Sequence, residues 1–334
     1  MRRLSPRLQG MTSFRMPLSR RALFALPAFV ALPSLANSWP AKPVHIVVPF
    51  APGGSGDITA RLVGKYIEDK TGQPFVVENK PGANGIVGAL AVRSAPADGY
   101  TLMLATASTN GANIHMYKNP GYDPEKDFTV VGVIGSAGNF VIVPADSPFK
   151  SLGDLLKYAK ANPGKLNFAY FNATSQVPPE VLANEAGVQW QGVAYKSIGN
   201  AWNDLYAGAV QFMTVDLTAA RGQVVAGKAR PLAVTLAERS PLYPDVPAVA
   251  ETFPGFELRG FLAVAVPKAV PDAIKSRINE LVNEAVLSPA INKRLVEEFN
   301  LVPRRMDLAQ CADYDRGERA KWAEYVKVAK IEPQ

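Results

Sequence analysis

Residues 49–57 (PFAPGGSGD) form a loop that could bind an anion without any basic side chain. Gly53, Gly54 and Gly56 let the backbone approach a ligand closely and turn its N–H groups outward. The helix expected after the loop adds its positive N-terminal end. The candidate contacts are Phe50, Ala51, Gly53, Gly54, Ser55 and Asp57. A plain strand–helix turn capped by Asp57 is the alternative.

The loop does not match the nucleotide-binding patterns. It lacks the Gly-Lys-Ser/Thr ending of a Walker A loop and the G-x-G-x-x-G spacing of a dinucleotide site. A second glycine-rich turn, residues 81–85 (PGANG), offers Ala83, Asn84 and Gly85, and Ser108 follows the next strand. Loops at the carboxyl ends of neighbouring parallel strands meet at one edge of a sheet, where open α/β sheets bind ligands. Together they could hold one carboxylate.

These loops follow the strands of a predicted alternation of strands and helices. Strands are expected at 43–50, 75–77 and 100–105, with helices at 57–71 and 86–94, and this order predicts a mainly parallel α/β sheet. A second alternation runs from Leu166 to Leu236, and one of its helices is expected at 179–185. The two units join near 139–146 and near 232–240, so two chain crossings form a hinge. The cleft between two lobes is a natural ligand site.

Composition narrows the possible partners. The chain of 334 residues has 36 Lys and Arg against 29 Asp and Glu, a net charge of +7. Residues 1–36 hold six arginines and no acid, so the remainder has 30 basic against 29 acidic residues, or +1. That charge gives no reason to expect a nucleic-acid partner. One Cys and two His make a metal centre improbable, and no cofactor is expected.

Residues 1–36 have the three parts of a cleaved signal peptide. Arg20 and Arg21 precede an apolar run from Ala22 to Pro33, and a small-residue site follows at 34–36. The arginine pair fits both twin-arginine and Sec export, and Met11 and Met16 are alternative starts. No other apolar run reaches 18 residues, so we expect an exported, soluble, periplasmic protein.

The ordered motifs resemble a known family. PFAPGGSGD, then VVENKPGANGIVGA (76–89), then ADGYTL (97–102), and further blocks through 330, are similar to the substrate-binding receptors of tripartite tricarboxylate transporters, the Bug receptors. The resemblance implies an α/β, two-lobed, type II periplasmic-binding-protein (Venus-flytrap) fold with a hinge of two crossings. Lobe 1 would comprise 37–142 and 236–334, and lobe 2 would comprise 143–235.

The resemblance also implies a function. Such a receptor captures a small carboxylate in the cleft and delivers it to inner-membrane permease subunits, without a cofactor and without catalysis. The two glycine-rich loops would hold one carboxylate, and the facing lobe would contribute Thr174, Ser175, Lys196 and Asp216. The ligand could be a di- or tricarboxylate, an acidic amino acid or an aromatic acid. We expect a monomer.

Departures from the family fall in the second lobe. Asn172 and Thr174 stand where the family has glycines, Pro178 stands where it has His, and Ser197 replaces a Gly. We hypothesise that Tyr170 or Phe171 makes the wall bulkier and more apolar than that of a citrate-type site. The alternative is that both rings face the core.

Two other function classes stay open on the sequence. A ligand sensor that signals to a membrane partner would need the same two-lobed fold. A secreted hydrolase using Ser55 lacks the G-x-S-x-G spacing and would need His45 or His115 beside that serine.

Overall fold

Two five-stranded sheets form the frame of residues 39–334, the part described in a computed structural model. The expected signal peptide, 1–36, lies outside the described residues. The strands are β1 Val44–Val48, β2 Phe75–Asn79, β3 Thr101–Thr106, β4 Phe128–Ala137, β5 Asn139–Pro144, β6 Asn167–Tyr170, β7 Gln191–Ala194, β8 Phe212–Asp216, β9 Ala229–Val234 and β10 Gly260–Pro267. The helices are α1 Ser55–Thr71, α2 Ile86–Arg93, α3 Asn113–Met116, α4 Pro124–Asp127, α5 Leu152–Ala161, α6 Ala173–Ala186, α7 Ile198–Tyr206, α8 Leu217–Val225, α9 Asp272–Leu287, α10 Pro289–Lys293 and α11 Leu308–Val328.

The two sheets have matching topology. The first has the order β2-β1-β3-β10-β4 and the second the order β7-β6-β8-β5-β9. In each, two strand pairs are parallel and two are antiparallel. The expectation of mainly parallel sheets is therefore wrong for half of the pairs. The antiparallel pairs all involve β5 or β10, each of which begins where the chain has just crossed between the sheets. These strands do not belong to βαβ units, which parallel neighbours require.

Alternation along β1 explains how helices cover both faces of the first sheet. Ile46 and Val48 pack in one cluster with Val63 of α1, and Val47 packs in another with Ala89 of α2. β-Branched residues on both faces are typical of strands buried on both sides. The helices that begin at the glycine-rich loops are thereby fixed to the sheet.

The two chain crossings lie side by side. Gly138 alone separates β4 from β5, and the amide of Asn139 donates to Thr235 Oγ1 at 2.9 Å. The amide of Thr235 donates back to the carbonyl of Asn139 at 2.9 Å. This pairing builds the two-lobed fold with a hinge of two crossings that the sequence predicts. The second sheet itself begins at Asn139 and ends at Val234, and the lobe boundaries at 142/143 and 235/236 stay predictions.

Within residues 39–334, no helix combines the length and the apolar character that crossing a membrane would require. The same range contains no cluster of His, Cys, Asp and Glu side chains suited to a metal ion.

Candidate functional site

The carboxyl ends of the parallel strands in both sheets border one cavity of about 700 Å³. Loops after β1, β2 and β3 form one wall, and loops after β6, β7 and β8 form the other. Twelve of the fourteen residues predicted from sequence line it: Phe50, Ala51, Gly54, Ser55, Asp57, Ala83, Asn84, Gly85, Ser108, Thr174, Lys196 and Asp216. Gly53 and Ser175 are not part of the wall.

The first loop ends in a helix whose N-terminus has no side-chain cap. Gly54 is the N-cap residue of α1, and no side chain accepts a hydrogen bond from the first turn. The first N–H groups of a helix have no partner inside the helix. Those of α1 therefore point into the cavity region with their partial positive charge available to an anion.

Asp57 supports the first loop from within. Its Oδ2 accepts from the exposed Gly53 amide at 3.1 Å, and its Oδ1 accepts from Arg61 Nε at 3.0 Å. Burial raises the pKa of the Asp57 carboxyl, but the bonds from Arg61, Gly53 and Asn79 outweigh this and hold the pKa below its ordinary value. Asp57 is thus ionised and neutralised by Arg61. The Gly53 amide is thereby used within the loop and is not available to a ligand.

The second loop holds an unusual backbone conformation. Gly82, Ala83, Asn84 and Gly85 have consecutive positive φ angles of 142°, 45°, 55° and 88°. For residues with a Cβ this conformation costs roughly 1–2 kcal/mol each, and such strain clusters at ligand sites. Asn113 holds the loop, because Asn84 Nδ2 donates to Asn113 Oδ1 at 2.8 Å and Asn113 Nδ2 donates to the Asn84 carbonyl at 3.1 Å.

The second loop also precedes a helix without a side-chain cap. α2 begins after Gly85, but the amides of Ile86 and Val87 in its first turn donate to the backbone carbonyls of Ala83 and Gly82. The helix end on the lobe 1 wall that offers its first N–H groups to a ligand is therefore that of α1, beside the loop before α2.

The lobe 2 wall differs, because its helices carry their own caps. Asn172 Oδ1 accepts from Ser175 at the start of α6, Ser197 Oγ accepts from Asn200 in α7, and Asp216 Oδ1 accepts from Ala219 in α8. Side-chain capping satisfies part of the first turn and leaves less of it for a ligand. The strongest backbone anion site in the cavity therefore lies on lobe 1.

Hydrogen bonds join the two walls. The Ala173 amide, at the N-terminus of α6, donates to Asn84 Oδ1 at 2.9 Å and to Ser108 Oγ at 3.3 Å. Ser55 Oγ donates to Asp216 Oδ2 at 3.1 Å. Ser55, Asn84, Ser108 and Asp216 were predicted only as separate candidates and Ala173 was not predicted, and the structure brings them into contact across the cleft.

Helix α6 begins six residues earlier than the sequence suggested. A helix was expected only from Pro179, because Pro178 and Pro179 lack the N–H groups that a helix interior uses. The carbonyls freed four residues earlier find other donors: Asn139 Nδ2 donates to the Thr174 carbonyl at 2.5 Å, and Thr214 Oγ1 donates to the Ser175 carbonyl at 2.9 Å. The signal that was missed is Asn172 with Ser175 at capping-box spacing.

Ser175 holds the loop before α6 in position. Its Oγ accepts from the amides of Phe171 and Asn172 at 2.9 Å and 3.1 Å, and the residue is fully buried. It therefore shapes the loop that carries Phe171, Asn172 and Thr174 along the cavity.

The charges lining the cavity are few. Lys196 is the one basic residue among those lining it, against Asp57 and Asp216. Burial raises the pKa of the Asp216 carboxyl, while the Ala219 amide and the Ser55 hydroxyl act in the opposite direction. Tyr170 and Phe171 both line the cavity and also pack against buried clusters, and their effect on the ligand stays a prediction. Sequence reasoning missed Tyr117 and Phe261, since nothing in a sequence shows which face of a buried strand or short helix borders a cleft.

Neither histidine borders the cavity. His45 Nδ1 lies 2.5 Å from Glu78 Oε1, and burial lowers the pKa of His115. Within residues 39–334 the hydroxyl of Ser55 pairs with Asp216 and not with an imidazole, so the arrangement needed for a serine nucleophile is not formed.

Comparisons with known proteins agree with this geometry. The family model described as tripartite tricarboxylate transporter family receptor matches residues 59–331. Protein BugT of Bordetella pertussis is 33% identical over 250 residues, covering 74% of this chain and 77% of BugT. The structure of R. palustris Rpa4515 with adipate has a TM-score of 0.85 and 33% identity, covering 89% of this chain and 100% of that one. MatC from Rhodopseudomonas palustris with bound malate has a TM-score of 0.80 and 30% identity, covering 86% and 100%.

Thr214→Val tests how α6 tolerates its prolines. The substitution leaves the Ser175 carbonyl without its donor, so we expect a loss of about 1–3 kcal/mol in the free energy of unfolding. Thr59→Val is the matched control, because Thr59 is equally buried and its Oγ1 has no hydrogen-bond partner among residues 39–334. Urea unfolding measures both. Equal losses in the two variants would contradict this account of the helix.

Asp216→Asn tests the buried carboxyl. A raised folded-state pKa stabilises the fold below the unfolded value of about 3.9, and this contribution is lost as the pH rises through the raised value. Asparagine keeps the N-cap but cannot ionise. The variant should therefore gain stability relative to the unmodified protein as the pH rises above about 4. Urea unfolding across that range measures the difference, and a pH-independent difference would refute the assignment.

Proposed function

Because the chain belongs to the tripartite tricarboxylate transporter receptor family, we propose that it captures a small carboxylate in the cavity between its lobes and delivers it to a membrane permease. The observation that carries the proposal is the N-terminus of α1, which has no side-chain cap and lines the cavity beside the loop before α2. Backbone N–H groups at helix ends bind carboxylates without a basic side chain. Proteins of this family are solute-binding receptors, not enzymes.

The mechanism follows from the two walls. The carboxylate would accept hydrogen bonds from the first turn of α1 and from the loop before α2. Lobe 2 would then close through the bonds from Ala173 to Asn84 and from Ser55 to Asp216. A ligand that contacts both lobes favours the closed form in proportion to those extra contacts. Closure also removes water, which strengthens the hydrogen bonds to the carboxylate.

The ligand class receives support from relatives. Rpa4515 is described with adipate and MatC with malate, and both share about a third of their residues with this chain. Adipate and malate are small carboxylates. Their binding supports carboxylate capture here, while the differences in the 170–178 loop favour a different preferred ligand.

The proposal also covers the export of the chain and its membrane partner. Residues 1–36 would direct the chain to the periplasm and be removed. The permease subunits of a tripartite tricarboxylate transporter would then bind the surface of the closed form. Deleting the gene should abolish uptake of the ligand. Unchanged uptake with lost gene induction would instead favour a sensor.

A ligand screen tests carboxylate capture directly. The purified protein is heated with mono-, di- and tricarboxylates, sugars and cationic amino acids. A ligand at about 100 times its dissociation constant stabilises the native state by roughly 2.7 kcal/mol. We expect such a shift only with carboxylates. A shift with sugars or cationic amino acids alone would overturn the proposal.

Ala83→Asp tests where the carboxylate sits. Aspartate tolerates the positive φ of this position better than alanine does, and the bonds between Asn84 and Asn113 are kept while a negative charge is added. Two unit charges 4 Å apart repel by about 4 kcal/mol at an effective dielectric constant of about 20. Affinity for every bound carboxylate should fall at least about tenfold, measured by calorimetry. Asn203→Asp, exposed on α7 outside the cavity, makes the same charge change and should leave affinity unaltered. Equal effects from both variants would place the carboxylate elsewhere.

A further inference from the structure

Six aromatic side chains line the cavity, three from each lobe. Lobe 1 contributes Phe50, Tyr117 and Phe261, and lobe 2 contributes Tyr170, Phe171 and Tyr195. The other large side chains in the lining include the aliphatic residues Ile198, Leu262 and Leu301. The occupant of this cavity therefore meets apolar rings from both directions.

Several of the rings are held in place by neighbours. The Tyr195 hydroxyl donates to Asp204 Oδ2 at 2.8 Å, which fixes the ring by its far end. Phe261 is 2% exposed and packs edge-on against Tyr314 at 5.7 Å between ring centroids. The ring of Tyr170 packs against Phe168 at 5.9 Å. Rings that are already ordered lose little freedom when a ligand packs on them.

Tyr117 and Tyr170 line the cavity from opposite lobes. Both side chains are half-buried, so each keeps surface that a ligand can cover.

The charges and helix ends that line the cavity can compensate one anionic group of a ligand. The helix end that offers its first N–H groups is that of α1 on lobe 1, whereas α6, α7 and α8 on lobe 2 carry their own caps. Of the residues lining the cavity, one is basic and two are acidic. A buried charge is costly unless it is paired. A tricarboxylate would therefore bring more negative charge than one lysine and one helix end can offset, into a cavity whose largest side chains are mostly aromatic.

We propose that the carboxylate bound here carries an aromatic ring, with its carboxylate on the first turn of α1 and the loop before α2, and its ring between the aromatic side chains of the two lobes. The inference rests on the carboxylate-receptor function proposed above. A volume of about 700 Å³ leaves room for such a ring, since ligand cavities generally measure about 300–1,000 Å³. Offset or edge-to-face packing between aromatic rings adds to the energy of burying them.

Matched ligand pairs test the ring separately from the carboxylate. Calorimetry compares benzoate with hexanoate, and benzene-1,4-dicarboxylate with adipate, and includes citrate. We expect the aromatic member of at least one pair to bind about tenfold or more tightly than its aliphatic partner, the equivalent of about 1.4 kcal/mol. Equal or tighter binding of both aliphatic members, or of citrate over all others, would overturn the aromatic assignment and leave carboxylate capture standing. Binding of no carboxylate would instead overturn the proposed function.

A double variant assigns the preference to the rings. Tyr170→Leu with Phe171→Leu keeps an apolar wall but removes two rings, so affinity for the aromatic acid should fall at least about fivefold more than affinity for adipate. Tyr158→Leu is the control, since Tyr158 is an exposed lobe 2 tyrosine outside the cavity. An undiminished preference in the double variant would contradict the proposal, whereas the wild-type comparison holds whether or not the variant folds.

Discussion

The backbone N–H groups that lobe 1 leaves without side-chain caps are the feature on which the rest of the structure depends. Gly54 and Gly85 stand at the N-caps of α1 and α2, where Ser, Thr, Asp or Asn would satisfy the first turn. Gly54 gives up that stabilisation and keeps the first donors of α1 available, whereas the first amides of α2 bond to the carbonyls of the loop before it. The sheet, the Asp57–Arg61 pair and the Asn84–Asn113 bonds hold the two loops in place. The proposed anion binding is thus local, and the net charge of +1 on residues 37–334 is compatible with it.

Lobe 2 contributes the hydrogen bonds that cross the cleft. Its α6 begins at Ala173, whose amide meets Asn84 and Ser108, and this helix persists through two prolines because Asn139 and Thr214 supply the missing donors. Asn139 also belongs to the hinge, where it pairs with Thr235. The hinge, the start of α6 and the second wall of the cavity are therefore built from a shared set of hydrogen bonds.

Much of this architecture is readable from the sequence, and the limits have physical causes. Glycine spacing in 49–57 and 81–85 predicts close backbone approach, because few other residues allow it, and both loops border the cavity. The start of α6 was misread because proline rules are local, whereas the compensating donors come from distant strands. Contacts such as Ser55 with Asp216, 161 positions apart, depend on how the lobes close. Periodicity does not reveal that Tyr117 and Phe261 share one wall.

A crystal structure of the protein with a bound carboxylate would test the central claim most directly. We predict carboxylate oxygens within about 3 Å of backbone N–H groups in the first turn of α1 and in the loop before α2. A carboxylate held by Lys196 and the lobe 2 side chains, with the first turn of α1 bonded only to water, would contradict the account.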